Sequence, residues 1–399
     1  MTIPVLLGAM LVLVPASSAA GFNPCYVTVS GENVGGNAIQ LAINANPGRT
    51  ICVAGGTYPE QLIVTSSGTQ LIGLGSYSNP TTIQPETLSA TANVPQGPDS
   101  GQPIYSTILV GGSPVSSISG VKIENLVIDG SVASEALESC IDFRGVTYLD
   151  ASGTVAHNSI ENFRSPASLP YCNDGMGVEA ESAVGGTSNV VVQSNAIGGY
   201  DSTGIICNWD AYCSVFGNTV SFYTPYDSYV AGEGIQIGYG ASGQVSLNIV
   251  ENNACTFAGC GPNPQTQSQG IGIVTYLSGA QTTVSGNILY HNDVGIYVQS
   301  DTTTIIANSV SGSTFEAIVE YDGAGTYRAS FNLLANNPIG FELYNDGSVS
   351  TFTSIVQSSN YFGHDPTAVQ IQTTSPGSLT LSYGGTTQVY SGTNTVDIP

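Results

Sequence analysis

In a chain of 399 residues with only 8% charged side chains, four charges fall on two short stretches that read alike. Cys140-Ile141-Asp142-Phe143-Arg144 and Gly177-Val178-Glu179-Ala180-Glu181 each carry two ionisable residues two positions apart. In an extended strand that spacing puts both on one face, so Asp142 projects with Arg144 and Glu179 with Glu181. If the two strands are neighbours, about 4.8 Å apart, Asp142 lies beside Glu179 and Arg144 beside Glu181. Stacked carboxylates repel unless a cation or a shared proton intervenes. A hard divalent ion such as Ca2+ meets that need, with Asp142, Asp174 and Glu179 as the candidate ligands.

Two chemistries suit the cluster, with Asp142, Arg144, Glu179 and Glu181 as candidate catalytic residues. In a lyase, the ion neutralises a uronate while Arg144 takes the C5 proton or stabilises the anion. In a glycoside hydrolase, two of the carboxyl groups flank the scissile bond. Trp209 and Tyr297 are candidate sugar-stacking residues, and Asp210 and Glu233 lie near the same column. The competing reading is a surface ion-pair patch with no chemistry.

The elements that would position these residues follow from two recurrences. Gly204-Ile205-Ile206, Gly234-Ile235-Gln236, Gly270-Ile271-Gly272, Gly295-Ile296-Tyr297 and Gly340-Phe341-Glu342 extend the column of the two charged stretches. Downstream of each comes an asparagine two residues before an apolar side chain, with the full set Asn125, Asn158, Asn195, Asn218, Asn248, Asn287, Asn308, Asn332 and Asn360. The intervals run from 21 to 39 residues. Such periods mark a stack of coils, none of which buries its apolar face alone. Short β-branched alternating runs on both sides of each Asn make the unit strand, corner, strand. The prediction is a single-stranded right-handed parallel β-helix of about ten to twelve coils, with the asparagines stacked as a ladder. Asn37 to Asn46 has helical spacing and stops at Pro47-Gly48, so it reads as a short capping helix over the open end. Residues 375 to 399 keep strand alternation and read as a last coil or cover.

The formal charge is −23, with one lysine, Lys122, and four arginines. Nucleic acid and anionic lipid are poor partners for that surface, whereas few charges and many hydroxyls suit an envelope protein exposed to acid. Residues 1 to 20 read as a secretory signal, and no later run is long enough to span a membrane. The eight cysteines are even in number and follow that signal, as expected for disulfides in an oxidising compartment. Short separations favour Cys25 with Cys52, Cys140 with Cys172, Cys207 with Cys213 and Cys255 with Cys260. Three long excursions leave the stack, at residues 76 to 106, 164 to 176 and 255 to 269.

The segment from Ala38 to Gly75 contains Gly56-Thr57-Tyr58-Pro59-Glu60, a G-x-Y-x-E element, and here the chain resembles the entry segment of pectin-lyase-like β-helix proteins, pectinesterases among them. That resemblance implies the fold across nearly all of residues 21 to 399. It implies no particular reaction, because the Q-D-T-L and D-F-I-F-G elements of pectinesterases and the N-T-D, G-H-G and R-I-K elements of polygalacturonases are absent. The leading expectation is a secreted or cell-surface, non-catalytic β-helix that meets glycan or envelope, with self-assembly as one route. The alternative is a polysaccharide lyase or glycoside hydrolase working through the carboxylate and arginine cluster.

Overall fold

The computed structural model describes residues 25 to 398 apart from short segments, of which 31–35, 113–116 and 223–231 are the longest. The expected signal at residues 1 to 20 lies outside the described residues. The chain winds as a right-handed parallel β-helix with three long sheets of 14, 11 and 13 strands, here sheets A, B and C. Successive strands in each sheet pair in parallel, one coil to the next. The eleven strands of sheet B count eleven coils, within the expected range.

The asparagine ladder runs unbroken from Asn158 to Asn360. In each step one side-chain Oδ1 accepts from both the backbone N–H and the Nδ2 of the Asn one coil earlier, as Asn195 does from Asn158 at 3.0 and 3.1 Å. Nδ2 also donates to a backbone carbonyl of the preceding coil, Asn195 to Val155 at 3.0 Å. These buried amides are therefore satisfied in both directions, which is why asparagine recurs there. Asn125 departs from expectation. It occupies the left-handed corner (φ 56°), and Leu126 stands in the ladder position, its N–H donating to Asn158 Oδ1. The same corner is held by His157, Ser194 and Leu247 ahead of their ladder asparagines. A second, shorter ladder five residues further on links Asn253 to Asn292, and Ser313 to Asn337 and Asp365.

The two sequence recurrences interlock. A Cβ at Gly145, Gly177, Gly204, Gly234, Gly272 or Gly295 would come within 2.3 to 2.8 Å of Ile160, Ile197, Val220, Val250, Leu289 or Val310, the apolar residues two places after the ladder asparagines. Sheet C can thus close onto sheet B only where the side chain is missing. This also fixes the true register of sheet C. Thr147 pairs with Glu179 and Leu149 with Glu181, so the coil aligns from Gly145 and not from Cys140, five residues away from the expected alignment. In the same way Gly272, not Gly270, belongs to the column.

The helix Ala38–Ala45 covers the first coil by burying Ile39 and Ile43, while Leu41 faces out. Glu60 of the G-x-Y-x-E element caps it: its two carboxylate oxygens accept from the N–H groups of Ile39 (3.1 Å) and Gln40 (3.0 Å). At the other end Ser378–Tyr383 adds a last parallel strand to sheet A. Thr386–Ser391 and Asn394–Ile398 then turn antiparallel against sheets A and C and cover them. All four disulfides pair as the separations suggested. Among the described residues no helix is long and apolar enough to cross a membrane.

Candidate active site

Asp142 opens the strand Asp142–Leu149 of sheet C, and Glu179 and Glu181 close the next strand, Gly175–Glu181. The misaligned register brings no loss of contact, because Arg144 is long enough to reach across a coil. Its Nε and Nη2 bind the two oxygens of Asp142 at 2.6 and 2.7 Å. Its Nη1 lies 2.5 Å from Glu179 Oε2, an ion pair without hydrogen-bond alignment, and 3.3 Å from Glu181 Oε2. Arg144, Glu179 and Glu181 are each no more than 2% exposed, whereas the Asp142 side chain is 21% exposed at the mouth. One buried guanidinium thus serves three carboxylates, an arrangement that is expensive to desolvate and leaves excess negative charge.

That imbalance sets the protonation. Burial alone would pull the Arg144 pKa down, but Glu179, Glu181 and Asp142 outweigh it and hold the cation firmly protonated. Glu179 goes the other way. Burial pushes its carboxyl well above the usual range, Arg144 opposes this, and repulsion and hydrogen bonding from Glu181 add to it. The balance leaves Glu179 binding its proton more tightly than an ordinary carboxyl.

These groups form the floor of a cavity of about 540 Å3. Its walls come from the excursions. Val94, Gln96 and Gln102 belong to or border the first, Tyr105 to the sheet C strand Pro103–Gly111 beside Asp142–Leu149, and Asp174 to the second, which the Cys140–Cys172 disulfide ties back to the coil. Gln96 anchors the first wall by donating from Nε2 to the Ser182 carbonyl at 2.7 Å. Trp209 projects from a corner spanned by the Cys207–Cys213 disulfide and held by left-handed Trp209 and Asp210. Its ring stacks on Tyr239 at 4.8 Å, and Gly97 lies so close that a Cβ there would meet the indole at 2.1 Å. Asn208 completes the floor, accepting from Gln236 Nε2 at 2.8 Å. Tyr239, Tyr105 and Gln96 were not foreseen; the length of the first excursion was the available signal, but nothing in its composition says where it folds back.

Of the residues expected at a site, Asp142, Arg144, Glu179, Glu181, Asp174 and Trp209 come together, and Tyr297 does not. Tyr297 lies four coils along the same outward column, stacked with Tyr321 at 6.0 Å. Glu233 lies outside the cavity, half-buried, with its carboxyl pushed up to about 7 by desolvation. The candidate Ca2+ set does not fit as drawn. Both Asp142 oxygens and Glu179 Oε2 are engaged by Arg144, which supplies the positive charge assigned to the ion. Asp174 does lie within 4.8 Å of the Cys140 and Cys172 sulfurs, but a disulfide offers no thiolate to a metal.

The three sheets together define a right-handed parallel β-helix. No protein-family model matches the sequence, and no curated protein matches it. Among solved structures it is similar to an alginate lyase from Paenibacillus sp. FPU-7, with 18% identity over 80% of this chain and 97% of that one, at a TM-score of 0.50. An exopolygalacturonase from Thermotoga maritima shares 12% identity over 92% and 93% of the two chains, at 0.52. A lacto-N-biosidase from Eubacterium ramulus shares 12% over 90% of this chain and 67% of that one, at 0.53. At such identities the likeness is one of fold.

Proposed function

We propose that the Arg144 cavity binds a neutral, hydroxyl-rich glycan and hydrolyses a glycosidic bond, with Glu179 as general acid and Asp142 as the second carboxylate. The observation that carries this reading is the buried guanidinium among three carboxylates on the floor of an aromatic-walled cavity. Arg144 is engaged at all three nitrogens, so it presents no free fork to a uronate, and the excess negative charge repels one. Held protonated by its carboxylates, it is also the wrong group to take a proton from a sugar carbon. Both points weigh against the lyase alternative. A carboxyl whose hold on its proton is strengthened by burial, by contrast, is what a leaving glycosidic oxygen needs.

In this mechanism the Glu179 proton passes to the glycosidic oxygen as the bond to the anomeric carbon breaks. Water adds to that carbon and gives its proton to Asp142 at the mouth. Both carboxylates touch one guanidinium, which holds two carboxyl groups at one reacting centre as paired-carboxyl hydrolysis needs. Trp209 and Tyr239 supply the stacking wall. Glycan-acting enzymes solved on the same fold support the ligand class, and the four disulfides support action outside a reducing compartment.

The test is a panel of neutral oligosaccharides, assayed for new reducing ends and, by calorimetry, for binding. Glu179→Gln should lower turnover by about 10^2- to 10^4-fold while binding persists. Binding without turnover by the unsubstituted protein would favour the non-catalytic surface role, and unsaturated products would restore the lyase.

A further inference from the structure

Toward the C-terminal end of sheet C a second recess, of about 240 Å3, is lined by Glu316, Glu342, Tyr344, Gln370 and Gln372 and overhung by Asn263. The overhanging loop is fixed independently of any ligand. Cys255–Cys260 closes it. Asp293 straps its base, Oδ2 accepting from the N–H groups of Cys255 and Gly270 at 2.7 and 2.9 Å. Gln267 ties back to the Asn263 N–H at 3.1 Å. Glu316 and Glu342 rise from adjacent strands, Glu316–Tyr321 and Ile339–Asn345, and are 1% and 2% exposed. One oxygen of each, Oε2, has no hydrogen-bond partner, and neither residue joins an ion pair among the described residues. The other Glu342 oxygen accepts from Gln372 Nε2 at 2.7 Å.

Two buried carboxyls without a counter-charge are costly, and in the recess they face oxygen-bearing amides with no imidazole or thiol beside them. We propose that this recess binds a hard divalent cation of the calcium class through Glu316 Oε2 and Glu342 Oε2, with water and neighbouring amide oxygens filling the remaining positions. The Arg144 cavity plays no part in it, and it stands or falls apart from the hydrolase reading. Burial, then Glu342 and Asp293, push Glu316 up to about 9, and burial pushes Glu342 up to about 7.

Terbium titration tests this, because Tyr344 lines the recess and can sensitise lanthanide emission. The expected result is saturable tyrosine-sensitised emission that Ca2+ displaces, with affinity reduced roughly tenfold or more in both Glu316→Gln and Glu342→Gln. Tyr344→Phe should dim the emission yet keep calorimetric Ca2+ binding, which locates the ion. Either glutamine variant binding as well as the unsubstituted protein, or no Ca2+ binding at all, would overturn the proposal. Glutamine removes a buried ionisable group at nearly constant shape, so both variants are expected to fold.

Discussion

Glu320 lies in the strand Glu316–Tyr321 with its side chain turned into the solenoid, between Val298 and Leu343 of the adjoining coils, and is 0% exposed. Both carboxyl oxygens lack a well-formed hydrogen bond, and the Ser354 hydroxyl only weakly favours the ionised form. Burial pushes this carboxyl up to about 8 from its ordinary 4.5. Below 4.5 folded and unfolded chains both carry the proton and there is no penalty. As pH rises from there the unfolded chain ionises while the folded chain cannot, so stability falls until about pH 8 and then levels. At about 1.4 kcal/mol per pH unit, the penalty at pH 7 is about 3 kcal/mol. Glu320→Gln, which has no proton to lose, should therefore be about 3 kcal/mol more stable relative to the unsubstituted protein at pH 7 than at pH 4. Urea unfolding followed by the fluorescence of Trp209, the one tryptophan, would measure the difference at the two pH values. An equal effect of the substitution at pH 4 and pH 7 would show that the carboxyl is not held neutral, and would refute the reasoning.

Asn248→Ala removes bonds to Val215 O and Asn287 Oδ1, orphans the N–H of Asn218 and leaves its Nδ2 only the backbone carbonyls, so urea unfolding should report a loss of about 2–4 kcal/mol. Asn125→Ala lies outside the ladder and should cost only about 1 kcal/mol, the price of its left-handed corner. Trp209→Ala opens the cavity wall beside Tyr239 and Gly97, and should weaken calorimetric binding of a neutral oligosaccharide about tenfold.

The repeat was legible because the corner imposes its chemistry on every coil. A buried backbone N–H must find an acceptor and only a short amide both accepts and donates along the axis, so asparagine recurs and announces the fold. Its one misplaced member has a physical cause: asparagine is also favoured in the left-handed corner, and sequence does not separate Asn125 in that corner from Asn158 one residue later in the ladder. The cysteine pairs were legible because partners close in sequence stay close on successive turns. The Glu316 and Glu342 recess was not, because two ordinary glutamates come to line one recess only through the pairing of adjacent coils and the approach of the loop carrying Asn263.

Sequence by itself determined the solenoid and its capping helix, and it pointed to Asp142, Arg144, Glu179 and Glu181 through an alignment five residues out of register. Only the tertiary structure decided how that group is joined. Register in sheet C depends on which residue lacks a Cβ where Ile160 and Ile197 press in, and that contact selects Gly145 over Cys140. The reach of Arg144 then draws the three carboxylates onto one guanidinium, and the folded-back excursions bury it. Both depend on contacts between coils, which local periodicity does not encode.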